Sequence, residues 1–180
     1  GITVDLMSAK MLIGGHIAEL IDLPGIYDLH GFSDDEQVVR HFLSNNHADL
    51  AIIVLNSSQI DRQLSLALQI KNLGLPAILL LNMQDEAKRS GISIDIEAMA
   101  QQLGMPVRQI SAKYGDGCPQ ALQLAAKQLA EQCNTVSPKD IAKRLEADVQ
   151  IEQEMQAILK SSVQVPVQLN DATTDNIDKI

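Results

Sequence analysis

Apolar residues along this chain gather in short blocks separated by polar stretches of two different periods. Residues 3–13 are mostly apolar, Gly14-Gly15 follows, and residues 17–23 are apolar again. Two extended runs joined by paired glycines predict an antiparallel hairpin over residues 3–23, because glycine supplies the positive φ angles of a two-residue turn. Residues 50–56, 77–82 and 107–111 are further strand-length apolar runs. The first is continuously apolar and reads as a strand covered on both faces. Between these runs the period lengthens to that of a helix. Ser33-Asp34-Asp35-Glu36 has the spacing of a capping box, and Val38, Val39, Phe42 and Leu43 line one face of a helix expected over 34–45. Residues 59–73 carry Leu64, Leu66, Leu68 and Ile70 and stop at Gly74; residues 95–103 stop at Gly104; residues 119–133 begin with Pro119 in the first turn. Repeated strand–helix–strand order predicts an α/β fold, a mixed, mostly parallel sheet flanked by helices, with the hairpin at one edge.

Beyond residue 134 the pattern changes. Ser137-Pro138-Lys139-Asp140 opens a charged amphipathic stretch, read as one helix to about residue 160. Its apolar positions are Ile141, Leu145, Val149, Ile151, Met155, Ile158 and Leu159. Residues 163–170, around Pro166, read as irregular, and 171–180 as a short polar end. The chain therefore divides into an α/β domain over 1–133 and a helical appendage over 134–180. The appendage is too small to hold a core of its own and must dock.

Charge and composition narrow the functions available. The 14 Lys+Arg against 23 Asp+Glu give a formal net charge of -9, which disfavours nucleic acid as a partner. The longest wholly apolar run, residues 50–55, is far short of the ~20 residues of a membrane span. Tyr27, Phe32, Phe42 and Tyr114 are the only aromatics, so stacking is not the main mode of recognition. Cys118 and Cys133 lack metal or redox spacing and fit a reducing compartment. His41 and His47, six apart, read as surface residues, and no iron ligand is assigned. The first residue is Gly, inside a strand-like run, which leads us to expect a piece of a longer product.

Four short motifs fall where ligands bind in open α/β sheets, mostly at strand ends. Asp22-Leu23-Pro24-Gly25 follows the return strand of the hairpin. An Asp there can hold Mg²⁺ through water, and a Gly lets a backbone amide approach a phosphate. Asn82-Met83-Gln84-Asp85 ends the strand at 77–82. A carboxylate at this point can accept from the N1–H and 2-amino group of guanine, a donor pair that adenine lacks. Ser111-Ala112-Lys113 ends the last strand, where backbone amides can meet the O6 carbonyl and Lys113 can cover a ring face. Thr3, early in the first run, carries a hydroxyl able to ligate Mg²⁺. Singly, each is explained by an ordinary turn or strand residue. Together, Thr, Asp-x-x-Gly 19 residues on, Asn-x-x-Asp 60 later and Ser-Ala-Lys 29 later follow the order of guanine-nucleotide proteins.

The likeness extends beyond these residues. Gly1-Ile2-Thr3-Val4, Asp22-Leu23-Pro24-Gly25-Ile26-Tyr27-Asp28-Leu29, Leu81-Asn82-Met83-Gln84-Asp85-Glu86-Ala87 and Ser111-Ala112-Lys113-Tyr114-Gly115-Asp116-Gly117 resemble the cytosolic GTPase domain of bacterial ferrous iron transport protein B. Met83, where most GTPases have Lys, is part of that resemblance. Residues 134–180 resemble the family's helical domain and the segment leading to its first membrane helix. The resemblance implies a GTPase-like fold binding GTP or GDP with Mg²⁺. It gives Thr3 and Asp22 to magnesium and switch I, Gly25 to phosphate sensing, and Asn82, Met83, Asp85, Ser111, Ala112 and Lys113 to guanine. It further implies a place on the cytoplasmic face of the bacterial inner membrane, the transmembrane part of the same transporter as partner, and possible self-association.

Two departures qualify these expectations. No Gly-x-x-x-x-Gly-Lys-Ser/Thr loop occurs in the 180 residues. The family's strand, phosphate loop and first helix are thus missing, which should open a gap of about 10 Å beside the strand at 50–56 and leave strand edges unpaired. Such a chain should bind GTP poorly by itself. Ile26 stands where many GTPases place a water-orienting Gln, and its side chain cannot hydrogen-bond water, so hydrolysis should be slow. A degenerate, non-enzymatic interaction module is the alternative reading.

Overall fold

The computed structural model describes residues 6–131, 136–147 and 149–166. Strands β1 (Met7–Ile13) and β2 (His16–Asp22) form the expected hairpin, paired from Ile13↔His16 to Met7↔Asp22. Gly14 and Gly15 turn it with φ of 58° and 86°, a pair that side-chain-bearing residues adopt only with strain. Gly14 also has to be small, since a Cβ there would lie 3.0 Å from Cβ of Ala126.

A loop then leads to α1 (Asp34–Asn45), which opens on the anticipated capping box: the Ser33 hydroxyl accepts from the Glu36 amide, and the Glu36 carboxylate accepts from the Ser33 amide. Next come β3 (Ala51–Asn56), a 3₁₀ turn (Ser57–Gln59), α2 (Ile60–Asn72), β4 (Ala77–Asn82), α3 (Gln84–Arg89), β5 (Ser93–Ile94), α4 (Ile96–Leu103), β6 (Val107–Gln109) and α5 (Cys118–Glu131). Strands β3, β4 and β6 form a parallel sheet in that order. Ile53, Leu55, Leu79 and Leu81 bury one face of it under α2 and its neighbours; Ile78 and Leu80 bury the other under Ala121 and Ala125 of α5.

Strand β3 departs from the reading of its apolar run. Ile53 and Leu55 are buried, but Ile52 and Val54, on the face that α5 covers for β4, are 36% and 55% exposed. Helix α5 packs over β4 and β1 and leaves Ile52 and Val54 largely uncovered. Among the described residues β3 pairs only with β4, and the hairpin forms a separate two-stranded sheet. Among the described residues β3 is thus an edge strand, and nothing described packs fully over Ile52 and Val54, so a continuously apolar strand has one wet face.

The tail also differs. One long helix was expected, whereas the chain forms α6 (Pro138–Leu145) and α7 (Glu152–Ser162), followed by β7 (Val163–Gln164). Strand β7 pairs antiparallel with β5, so residues 163–164 are not irregular. Docking overrides periodicity here. Ile141, Leu145 and Ile158 are buried in the same core as α1 and α2, and a break between the helices lets both faces reach it. Arg144 donates to the Leu73 carbonyl just past the end of α2 at 2.7 Å, and Lys71 meets Glu154 at 2.7 Å. The proposed boundary at 133/134, Cys133, and the polar end at 171–180 lie outside the described residues.

Candidate nucleotide-binding site

Parallel strands that end in register bring their following turns to one rim. Asn56 pairs with Asn82 across β3 and β4, and Leu81 pairs with Gln109 across β4 and β6. The Asn82–Asp85 turn and the Ser111–Lys113 turn are thereby neighbours, although 26 or more residues separate them in sequence.

Asn82 fastens the two turns together. Its Oδ1 accepts from the Met83 amide at 2.8 Å and from the Ala112 amide at 3.0 Å. Met83 has φ of 60°, the sole side-chain-bearing residue in the left-handed region among those described. That conformation costs about 1–2 kcal/mol, and the Asn82 bond helps to hold it. The twist starts α3 and brings Asp85 back beneath the rim. Asp85 Oδ1 accepts from the buried Ser111 hydroxyl at 3.0 Å, and Oδ2 lies 3.2 Å from Arg89 Nη2. Partial burial works to raise the Asp85 pKa; the Ser111 hydrogen bond, a backbone bond, Arg89 and Lys113 outweigh it and hold the carboxyl below the usual aspartate range.

The Ser111–Lys113 turn is closed by Ser111 N–H to Asp116 O at 2.9 Å and Tyr114 N–H to Ser111 O at 3.1 Å. Lys113 Nζ sits 5.2 Å over the Tyr114 ring, a cation–π distance. Its stem was expected to cover a bound base; here its ammonium lies over its neighbour. Likewise, the Ser111 and Ala112 amides are engaged inside the turns, on Asp116 and Asn82, and do not point to a free acceptor.

The phosphate side is less complete. Asp22 closes β2 and is exposed, and Gly25 is exposed with nothing within 4 Å of a Cβ built on it. An exposed carboxylate oxygen fits Mg²⁺, which keeps several waters and takes phosphate oxygens for the rest of its shell. Thr3 lies outside the described residues. Ile26 packs against the core, consistent with its apolar side chain.

Two residues that sequence reasoning missed hold the loop after Gly25. Gln69 on α2 accepts from the Leu29 amide at 2.8 Å and donates to Asp28 at 2.7 Å. Arg40 on α1 donates to the carbonyls of Leu29 and Gly31 at 2.5 and 2.7 Å. Leu29 itself is fully buried. Nothing in the sequence marks Gln69 or Arg40, because polar residues at helical spacing read as a solvated face.

A parallel sheet with an Asn-x-x-Asp turn tied to a Ser-Ala-Lys turn at its rim is the architecture of the G-domain class of α/β proteins. Comparison with known proteins narrows the class. Residues 1–125 match the family model for ferrous iron transport protein B, and the chain belongs to that family. It is 42% identical over all 180 residues to the Fe(2+) transporter FeoB of Synechocystis, covering 29% of that protein. It is 39% identical over 129 residues to the Fe(2+) transporter FeoB of Escherichia coli, covering 69% of this chain and 17% of that one. The chain thus spans less than a third of the length of these relatives. Among solved structures it resembles the cytosolic domain of Legionella pneumophila FeoB, with a TM-score of 0.75, 27% identity, and 91% and 86% of the two chains covered. It also resembles the FeoB G-domain of Methanococcus jannaschii, with a TM-score of 0.66, 29% identity, and 69% and 80% covered.

Proposed function

We propose that this chain carries the guanine-reading part of a nucleotide-controlled domain in a ferrous iron transporter. The carrying observation is the rim: Asn82 Oδ1 binds the amides of both turns, and Ser111 holds Asp85. Guanine N1–H and its 2-amino group would donate to the Asp85 carboxylate, which has lone pairs beyond those used by Ser111 and Arg89. Charge-assisted bonds of about 1.5–3 kcal/mol each suffice to reject adenine. The Lys113 amide is left to meet O6, and Met83, half in solvent, lies beside the base. Thr3 and Asp22 would hold Mg²⁺, whose chemistry is to neutralise phosphate charge, and Gly25 would sense the terminal phosphate.

Phosphate affinity would come chiefly from a loop absent in these 180 residues. By itself the chain would bind GTP weakly, and Ile26 would leave hydrolysis slow. Nucleotide state would then act as a switch. The loop after Gly25 is bonded to α2 through Gln69 and to α1 through Arg40, and both helices pack against the tail helices. Ordering that loop would reposition the tail and gate Fe²⁺ passage through a membrane-embedded remainder, placing the domain on the cytoplasmic side of the membrane. Competition binding tests the reading. With a Gly-x-x-x-x-Gly-Lys-Ser/Thr loop joined ahead of Gly1, GTP should displace labelled GDP at least about 100-fold better than ATP does. Equal displacement by the two would overturn it.

A further inference from the structure

Half of the chain's four aromatics stand on one short loop, and both face water: Phe32 is 93% exposed and Tyr27 66%. The loop is not loose. Leu29 between them is fully buried, and its amide and carbonyl are bonded to Gln69 and Arg40. Arg40 also holds the Gly31 carbonyl, Gln37 donates to the Phe32 carbonyl at 3.2 Å, and Glu36 accepts from the Ser33 amide. A backbone fixed between and after two exposed rings is pre-organised. Such rings, paid for in little ordering entropy, are the usual anchors of protein–protein interfaces.

The surrounding charge selects the partner. Asp28, next to Tyr27, and Asp34 and Asp35, two and three residues past Phe32, are exposed, and Glu36 after them is half-buried. Arg40 is the one Lys or Arg between residues 27 and 40, and its guanidinium is turned in to loop carbonyls. An anionic bilayer surface would repel this patch. A polypeptide carrying Lys and Arg around apolar side chains would match it. The chain covers 29% of a relative that is a Fe(2+) transporter, and cytoplasmic loops of membrane proteins are enriched in Lys and Arg.

We propose that Tyr27 and Phe32, within their acidic surround, form the docking surface for a cationic cytoplasmic loop of the transporter's membrane-embedded part. This deepens the proposed function and rests on it. The surface lies directly after the phosphate-sensing Gly25, so docking would be tied to nucleotide state.

The test is photo-crosslinking in the full-length transporter in bilayers, with benzoylphenylalanine placed at position 32 and, as a control, at the exposed position 122 of α5. Mass spectrometry should map the position-32 products to Lys/Arg-bearing loops between membrane spans. Asp34→Lys with Asp35→Lys, which leaves the Ser33–Glu36 capping bonds in place, should cut that yield at least about fivefold. Products that fall on lipid, on a second copy or on the cytosolic domain alone would overturn the proposal, as would a yield equal to that at position 122 or unmoved by the charge reversal. Labelled GDP binding is measured on the same samples: if it is intact while the crosslink fails, the docking surface is wrong and the nucleotide reading stands.

Discussion

Asp85 shows how much a single residue depends on its neighbours for its chemistry. Its carboxyl is held below the usual aspartate range although partial burial pushes the other way. In the proposed reading it is the ionised form that would accept two donors from guanine, so a lowered pKa would keep the carboxylate charged as the solution is acidified. Binding would need the carboxylate, so affinity would be lost only as pH falls through the lowered pKa of the folded chain. Guanine-nucleotide affinity in the loop-completed chain should therefore be flat from pH 8 down to about pH 5 as far as Asp85 is concerned. Ser111→Ala should move the acid limb of a binding titration to higher pH, because it removes the hydroxyl bond that stabilises the carboxylate. An acid limb that does not move would show that Ser111 has no part in tuning Asp85. The exposed Arg89 contact is expected to matter little, since solvent screens such pairs.

Among the elements, the strand and helix positions were largely legible, and their partners were not. Residues 34–45 and 77–82 form the predicted helix and strand because capping and apolar pattern agree there with tertiary burial. The tail failed as a single helix because ending α6 at Leu145 and restarting at Glu152 serves docking against α1, α2 and α4, which periodicity cannot report. Helix α3 was missed because five of its six residues are polar, Ala87 alone being apolar, and it begins from a left-handed Met83. Helix α2 joins the loop after Gly25 to the tail, receiving Leu29 and Asp28 on Gln69 and, past its end, Arg144 on the Leu73 carbonyl. Leu29→Ala, which empties a fully buried site at the centre of the loop, should cost about 2–5 kcal/mol in urea unfolding. Arg144→Ala should cost about 1–3 kcal/mol by leaving that carbonyl without its charged donor. Losses below about 0.5 kcal/mol in both would mean that the loop and tail are not fastened through α2.

Viewed whole, the molecule has a rim where the Asn82–Asp85 and Ser111–Lys113 turns are tied together, and an open side. The β3 edge is unpaired among the described residues, and Ile52 and Val54 on its uncovered face meet water. A strand against that edge and a helix beside α5 would close both. That the turns at 82–85 and 111–113 meet was readable because both close strands of one parallel sheet. The loop-holding roles of Gln69 and Arg40 were not, because they depend on which helix packs where. The central claim is that Asp85 chooses the base. It is tested most directly by titrating Asp85→Asn, in the loop-completed chain, with labelled guanosine and xanthosine diphosphates. Asn presents an amide donor to the 2-oxo group of xanthine and meets the 2-amino group of guanine poorly, so the substitution should lower guanosine diphosphate affinity at least about 30-fold and raise that for xanthosine diphosphate. Unchanged guanine affinity with no gain for xanthine would contradict the account.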